Sequence, residues 1–240
     1  MASDLDSNVL RAIEGRQAMD VREALELGGS PDARHDDGRS ALALAVEVGV
    51  CAIVDVLLSF GADPNLGDRY DATPLMDAAG RGFFGAAESP QKAGAEPDAF
   101  NGACSPLLAA AGNGDGDVWT IAALVQAGAD LERPDHFGRT PLALAVFVAN
   151  TENMDKLLEL GARMDSPSME EPLLDAKKWC PEVSKVRARL APKIPADLRR
   201  GLRTAGPSPT TPIASENENG PEGPLNFWEG RRSGRSHQWR

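Results

Sequence analysis

The sequence predicts an all-α solenoid: helix–turn–helix units joined by β-turn fingers, followed by a disordered C-terminal tail. Three observations carry that expectation. One block recurs as Ser40-Ala41-Leu42-Ala43-Leu44-Ala45, Thr73-Pro74-Leu75-Met76-Asp77-Ala78, Ser105-Pro106-Leu107-Leu108-Ala109-Ala110 and Thr140-Pro141-Leu142-Ala143-Leu144-Ala145, at steps of 33, 32 and 35 residues. A second block keeps the same period: Gly28-Gly29-Ser30, Gly61-Ala62-Asp63, Gly94-Ala95-Glu96, Gly128-Ala129-Asp130 and Gly161-Ala162-Arg163. The third observation is composition. Aromatics are 5% of the chain and its apolar content is mostly Ala, Leu and Val, which suits small packed helices better than Tyr- and Phe-rich strands.

The fourth unit shows why the pattern folds this way. Thr140 is placed to cap a helix, and Pro141 stands at the first helical position, where its missing N–H costs nothing. Leu142, Leu144, Ala145 and Val148 follow as an apolar face, and Ala149-Asn150 breaks the helix. A second helix is expected from Thr151 to Leu160, with Met154, Leu157, Leu158 and Leu160 on one side and Gly161 as a left-handed C-terminal residue. Asp135 to Gly138 form the preceding turn. Such a pair cannot bury both faces alone and must stack on a neighbour.

Taken in order, residues 1–8 are expected to be disordered, and the repeat domain spans 9–190. Within it, residues 9–34 form an N-terminal cap carrying Leu10, Ile13, Val21, Ala24 and Leu25. Repeats follow at 35–67, 68–97, 98–134 and 135–167, and a C-terminal cap at 168–190 restarts the pattern with Glu171-Pro172-Leu173-Leu174-Asp175-Ala176. Repeat two is the weakest. Pro90 stands where repeat one has Leu57, and a mid-helix proline costs ~3 kcal/mol, so a short or kinked helix is expected at 83–93. Repeat three carries two extra residues in Gly112–Asp117. Asn113, Asp115 and Asp117 alternate like the start of a calcium loop, but Val118 replaces the required Gly and Leu124 the twelfth-position Glu, so a plain loop with an Asp117 cap is expected.

The Thr-Pro-Leu-x-x-Ala and Gly-Ala-Asp blocks resemble the ankyrin repeat over residues 9–190. The resemblance implies an L-shaped helical stack with finger turns, and protein binding without catalysis. It implies contact residues on the fingers and the inner face of the first helices. In repeat one these are Asp36, Asp37, Arg39 and Glu47; in repeat two Arg69, Tyr70 and Arg81. In repeat three they are Phe100, Asn101, Cys104 and Asn113; in repeat four His136, Phe137, Arg139 and Phe147. Tyr70, Phe100 and Phe137 fall in three successive fingers, and two readings stand side by side: contact rings, or rings folded back on their own turns. The His that usually follows Thr-Pro-Leu is absent, replaced by Ala43, Met76, Leu108 and Ala143, so looser fingers are expected. Leu57, Asp63 and Asn65 match the spacing at which ankyrin repeats are hydroxylated on Asn, which marks Asn65 as a modification candidate beside its plainer reading as a turn residue.

Charge and chemistry narrow the function. The formal charge is −11, divided into 17 Lys+Arg against 31 Asp+Glu over residues 1–190 and 8 against 5 over 191–240. The acidic body repels phosphate backbones, so no specific nucleic-acid partner is expected. No G-x-S-x-G, G-x-G-x-x-G, Walker loop or H-E-x-x-H occurs, so no catalytic, cofactor or metal site is expected. His35 and His136 read as exposed turn residues far apart. Cys51 and Cys104 read as buried or half-buried thiols, and three scattered cysteines are no disulfide framework. No apolar run approaches the ~18 residues of a membrane span. A monomeric cytoplasmic or nuclear protein follows, with another protein as partner. The tail holds seven Pro and six Gly, and ends in Phe227, Trp228 and Trp239 with Arg231, Arg232, Arg235 and Arg240; disorder is expected there. The function expected is an interaction module, an adaptor or scaffold. The alternative is a regulatory or substrate-receptor subunit of a larger enzyme complex, such as a ubiquitin ligase or phosphatase assembly.

Overall fold

The computed structural model describes residues 4–113 and 118–164; the side chains of residues 84 and 86 lie outside that description. The loop at 114–117, the C-terminal cap at 168–190 and the tail at 191–240 also lie outside it. The described residues form ten helices. They are α1 (Asp4–Glu14), α2 (Ala18–Glu26), α3 (Ala41–Val48), α4 (Cys51–Ser59), α5 (Pro74–Arg81), α6 (Phe84–Lys92), α7 (Pro106–Ala111), α8 (Val118–Gln126), α9 (Pro141–Phe147) and α10 (Thr151–Glu159). Odd-numbered helices pack against one another in one row and even-numbered helices in a second, each pair joined across the rows. Among the described residues no strand forms, only an isolated bridge between Arg34 and Ser40.

The repeat blocks fold for the reasons their residues supply. Ser40, Thr73, Ser105 and Thr140 each accept the backbone N–H three residues on, from Ala43, Met76, Leu108 and Ala143, at 3.2–3.3 Å. Pro74, Pro106 and Pro141 open their helices at the first position. Leu42, Leu75, Leu107 and Leu142, one to each repeat, are at most 1% exposed and form the spine between the rows. Each second helix ends on a Gly in the left-handed region: φ is 86° at Gly61, 91° at Gly94, 104° at Gly128 and 100° at Gly161. There the Ala N–H of the Gly-Ala block bonds the carbonyl five residues back, as Ala62 does to Leu57 at 3.0 Å, and the Ala side chain is buried.

Neighbouring units are also joined by a bond that recurs with the repeat. The side chains of Asp32, Asn65, Asp98 and Glu132 accept the backbone N–H of Asp63, Glu96, Asp130 and Arg163, at 2.7–3.2 Å. Asp6 does the same for Ser30 at 2.9 Å.

Two expectations change. Residues 4–8 are helical rather than disordered: α1 starts at Asp4, with Asp4 and Asp6 sitting favourably at the helix N-terminus and the buried residues Val9, Leu10 and Ile13 following from its second turn. The first unit is therefore a full helix pair. In repeat two, α6 runs nine residues, as long as α4. Pro90 lies in its last turns and forfeits only the bond to the carbonyl four residues back, while its own carbonyl accepts from Ala93 at 3.1 Å and Ala95 at 2.8 Å. Its ring is buried where Leu57, Leu124 and Leu157 lie in the other repeats.

Candidate protein-interaction surface

Each finger is closed by a side chain at its base. Asp68 Oδ1 accepts the N–H groups of Tyr70 at 2.8 Å and Ala72 at 3.0 Å. Asn101 Oδ1 accepts those of Ala103 and Cys104 at 3.1 and 2.9 Å. Asp135 Oδ1 accepts those of Phe137 and Arg139 at 2.9 and 2.8 Å. In the first finger Asp37 Oδ1 takes the Arg39 N–H at 3.1 Å. These turns, formed by short polar side chains bonding their own backbone, tie the loops that the missing His was expected to leave loose. The fingers are also tied to one another. Asn101 Nδ2 donates to the Tyr70 carbonyl at 3.0 Å, Arg34 to the Gly67 carbonyl at 2.9 Å, and Arg69 to the Asp36 carbonyl. Gly38 is required beneath Arg69: φ is 91°, and an added Cβ would stand 2.4 Å from the Arg69 Cγ.

The charged residues of repeats one and two form one chain. Asp37 bonds Arg39, Arg39 meets Glu47, and Glu47 reaches Arg81 at 3.4 Å. Partial burial acts to raise the Asp37 carboxyl, but hydrogen bonds from the Arg39 side chain and backbone, with its positive charge and a bond from His35, outweigh it and hold the group well below the ordinary carboxylate range. In this chain each charge has an opposite charge as neighbour. Asp36 projects from the same finger, exposed.

Repeat four gathers all four of its expected residues. Asp135, whose side chain is buried, holds the Arg139 guanidinium at 2.8 Å. That guanidinium lies 4.6 Å from the centroid of Phe137 and 5.2 Å from that of Phe147. The His136 ring lies tilted against Phe137, with centroids 3.8 Å apart and planes at 43°. Phe137 and Phe147 nonetheless stay 45% exposed. Phe100 is covered on one side by Arg133, 5.6 Å from its centroid, and is 41% exposed. Arg133 is itself held by Asp98, whose hydrogen bond raises the guanidinium pKa. Tyr70 is 66% exposed. Each phenylalanine packs on an arginine and still presents a large share of its surface.

Comparisons with known proteins follow this geometry. The sequence profile described as Ankyrin repeat matches residues 37–69, from the first finger to the second. Cyclin-dependent kinase inhibitor 2A of Monodelphis domestica is 39% identical over 88 residues, covering 36% of this chain and 50% of that protein. Cyclin-dependent kinase 4 inhibitor B of Rattus norvegicus is 34% identical over 94 residues, 39% of this chain and 72% of that protein. This chain belongs to the ankyrin-repeat family. A third relative, the 2-5A-dependent ribonuclease of Mus musculus, is 36% identical over 74 residues, 30% of this chain and 10% of that protein. The aligned region thus spans half or less of the opossum and mouse proteins. Ankyrin repeats are protein-interaction modules, and the pattern carried by the sequence is theirs.

Some positions implied by the ankyrin resemblance turn out to be internal. Asn113 is 3% exposed, and its carbonyl accepts from Asn150 at 2.8 Å and Asn153 at 3.2 Å. It ties repeats three and four together and offers no contact. Asn101 is an ankyrin finger residue, but its side chain is spent on the bonds given above. Cys104 is buried, with its thiol donating to the Ser105 carbonyl at 3.3 Å; burial, aided by the charges of Asp135 and Asp77, pushes it up to about 12. Cys51 is exposed rather than half-buried, because it starts α4 on the side away from Ile53 and Val54. His35 lies 3.0 Å from Asp37 and 3.9 Å from Glu14, half-buried, whereas His136 is exposed. Asn65 bridges ankyrin units two ways, accepting from Glu96 and donating to the Gly94 carbonyl at 3.3 Å.

The repeat pattern did not single out Arg34, Arg133 or Trp119. Arg34 and Arg133 act across the seam between repeats. Trp119 is 72% exposed at the start of α8, and Phe83 40% exposed beside Gly49. A tryptophan at an outward ankyrin position was visible in the sequence as a departure from repeat composition. No described helix is long and apolar enough to cross a membrane.

Proposed function

We propose that the chain is a non-catalytic interaction module, an adaptor or scaffold, that binds a partner protein through its fingers and the adjoining ends of the first helices. The observation that carries this reading is the row Tyr70, Phe100 and Phe137: three rings on three consecutive, internally bonded fingers, 66%, 41% and 45% exposed in an aromatic-poor chain. Ordered aromatic side chains bind at little entropic cost, because the loops that carry them are already immobilised. The reading includes a monomer that works in the cytoplasm or nucleus. Capture of interacting proteins by the wild-type chain and by a Tyr70→Ala/Phe137→Ala variant tests it. Partner capture that falls at least ~10-fold with unchanged thermal stability supports the contact role; lost stability with unchanged capture refutes it.

A second reading is favoured by the named relatives, two of which are inhibitors of cyclin-dependent kinases. In it the chain is a regulatory subunit that binds an enzyme, here a protein kinase. Titrating the purified chain into a cyclin-dependent kinase 4 assay separates the two: inhibition lost in the finger variant favours regulation, and no effect at saturating protein leaves the adaptor.

A further inference from the structure

We propose that the finger row receives a basic, proline-rich segment of the partner, lying in polyproline II conformation across fingers two to four. This deepens the reading above and rests on it. The argument begins with spacing. Inner-row helices that pack directly on one another stand about 8–10 Å apart, so successive fingers, each leading into one such helix, step by about the same distance. A polyproline II chain rises about 3.1 Å per residue with three residues per turn, and so presents the same face every ~9 Å. A strand presents one face every ~7 Å and falls out of step after one finger. A helix returns to the same face after seven residues, about 10.5 Å, but needs an apolar stripe some 100° wide beneath it. Within fingers two to four, Arg81 paired with Glu47 and Arg139 paired with Asp135 place charge where such a stripe would have to run.

Charge selects the basic character. The carboxylates of Asp36 and Asp71 are exposed on the first two fingers, Asp71 next in sequence to Tyr70, the most exposed ring of the row, and make no hydrogen bond or ion pair among the described residues. Residues 1–190 carry 31 acids against 17 basic residues, so the whole body attracts a cationic segment. Phe100 and Phe137 already show the contact such a segment would repeat, a guanidinium over a ring. Prolines would then pack on the exposed ring faces one turn apart, with a Lys or Arg at the finger-two end.

The test uses the full chain and fluorescein-labelled peptides: two arginines joined to three Leu-Pro-Pro triplets, made in both sequence directions. One control places Leu at every fourth residue, one replaces the arginines with glutamates, and one is an Ala-rich helix former with Leu at every seventh residue. Fluorescence anisotropy is expected to show saturable binding of the triplet peptide that weakens at least ~10-fold in Tyr70→Ala and in Phe137→Ala. Asp36→Asn/Asp71→Asn is expected to weaken binding and flatten its dependence on salt. These side chains are exposed, and far-UV circular dichroism melts confirm that each variant folds. Absence of binding by either triplet peptide, equal binding of the every-fourth or glutamate control, or tighter binding of the helical peptide overturns the proposal. A finger-dependent partner together with silent triplet peptides refutes the peptide class and keeps the module reading; partner capture unchanged in the double finger variant refutes the module itself.

Discussion

Ala149 occupies a position that the fold reserves for glycine. It follows α9 with φ of 58°, where α3 and α5 end on Gly49 at 74° and Gly82 at 67°. The turn is complete: the Ala149 N–H bonds the Val146 carbonyl at 3.0 Å and the Asn150 N–H bonds the Ala145 carbonyl at 2.9 Å. This pair of bonds is the Schellman closure, and it holds an L-alanine in the left-handed region at a cost of about 1–2 kcal/mol. Ala149→Gly removes that strain but gives the unfolded chain more freedom, worth about 0.4–1 kcal/mol. Taken at mid-range, the difference predicts a net stabilisation of about 0.8 kcal/mol. Urea unfolding followed by circular dichroism measures it as a higher midpoint with an unchanged slope. The mirror change, Gly49→Ala, is expected to lower the midpoint; its new methyl would meet the Phe83 ring at 3.6 Å, an ordinary contact, so conformation alone is tested. If Ala149→Gly leaves the midpoint unchanged or lowers it, the strain argument is wrong.

Three further outcomes are expected. Asn153→Ala removes a fully buried amide that donates to the carbonyls of Ala110 at 3.1 Å and Asn113 at 3.2 Å, and should destabilise the chain by about 1–3 kcal/mol in the same urea assay. With iodoacetamide at pH 8, mass spectrometry should find Cys51 alkylated and Cys104 untouched until denaturant is added, since the Cys104 thiol is buried and pushed up to about 12. Asp37 has a folded pKa below its unfolded value of 3.8, so its contribution is fully present above that pH and is lost as pH falls below it. The gap in urea midpoint between wild type and Asp37→Asn should therefore be widest near pH 6 and close toward pH 2.5; a gap constant across that range would contradict the ion pairing.

Much of this architecture could be read from residue order. The caps Ser40, Thr73, Ser105 and Thr140 and the closing glycines act within three to five residues of themselves, so local sequence determines them. Features that depend on the neighbouring unit were hidden. Asn113 looked like a surface loop residue because its acceptor role depends on Asn150 and Asn153, some 40 residues away. Asn153 itself was a readable signal, a polar residue where repeat one has Ile53. The helix at 4–8 was missed because its first residues are polar and acidic and its buried residues begin only at Val9. The penalty assigned to Pro90 was sound per bond but took no account of how near the helix end it stands. Of the candidate contacts, the rings were legible as a row; that Asp37, Arg39, Glu47 and Arg81 neutralise one another required the geometry across two repeats.

The bonds from Asp32, Asn65, Asp98 and Glu132 to the next unit's backbone have one more consequence. Because the donor is always a peptide N–H, the seam is indifferent to which side chain follows it. Splicing out Asp63–Ala95 would bring the Glu96 N–H to the Asp32 carboxylate, just where the Asp63 N–H now stands. For this bond alone, whole repeats can be removed without loss of a donor; the side-chain bonds peculiar to one seam, such as those of Asn150 and Asn153 to repeat three, do not carry over and set which neighbours fit.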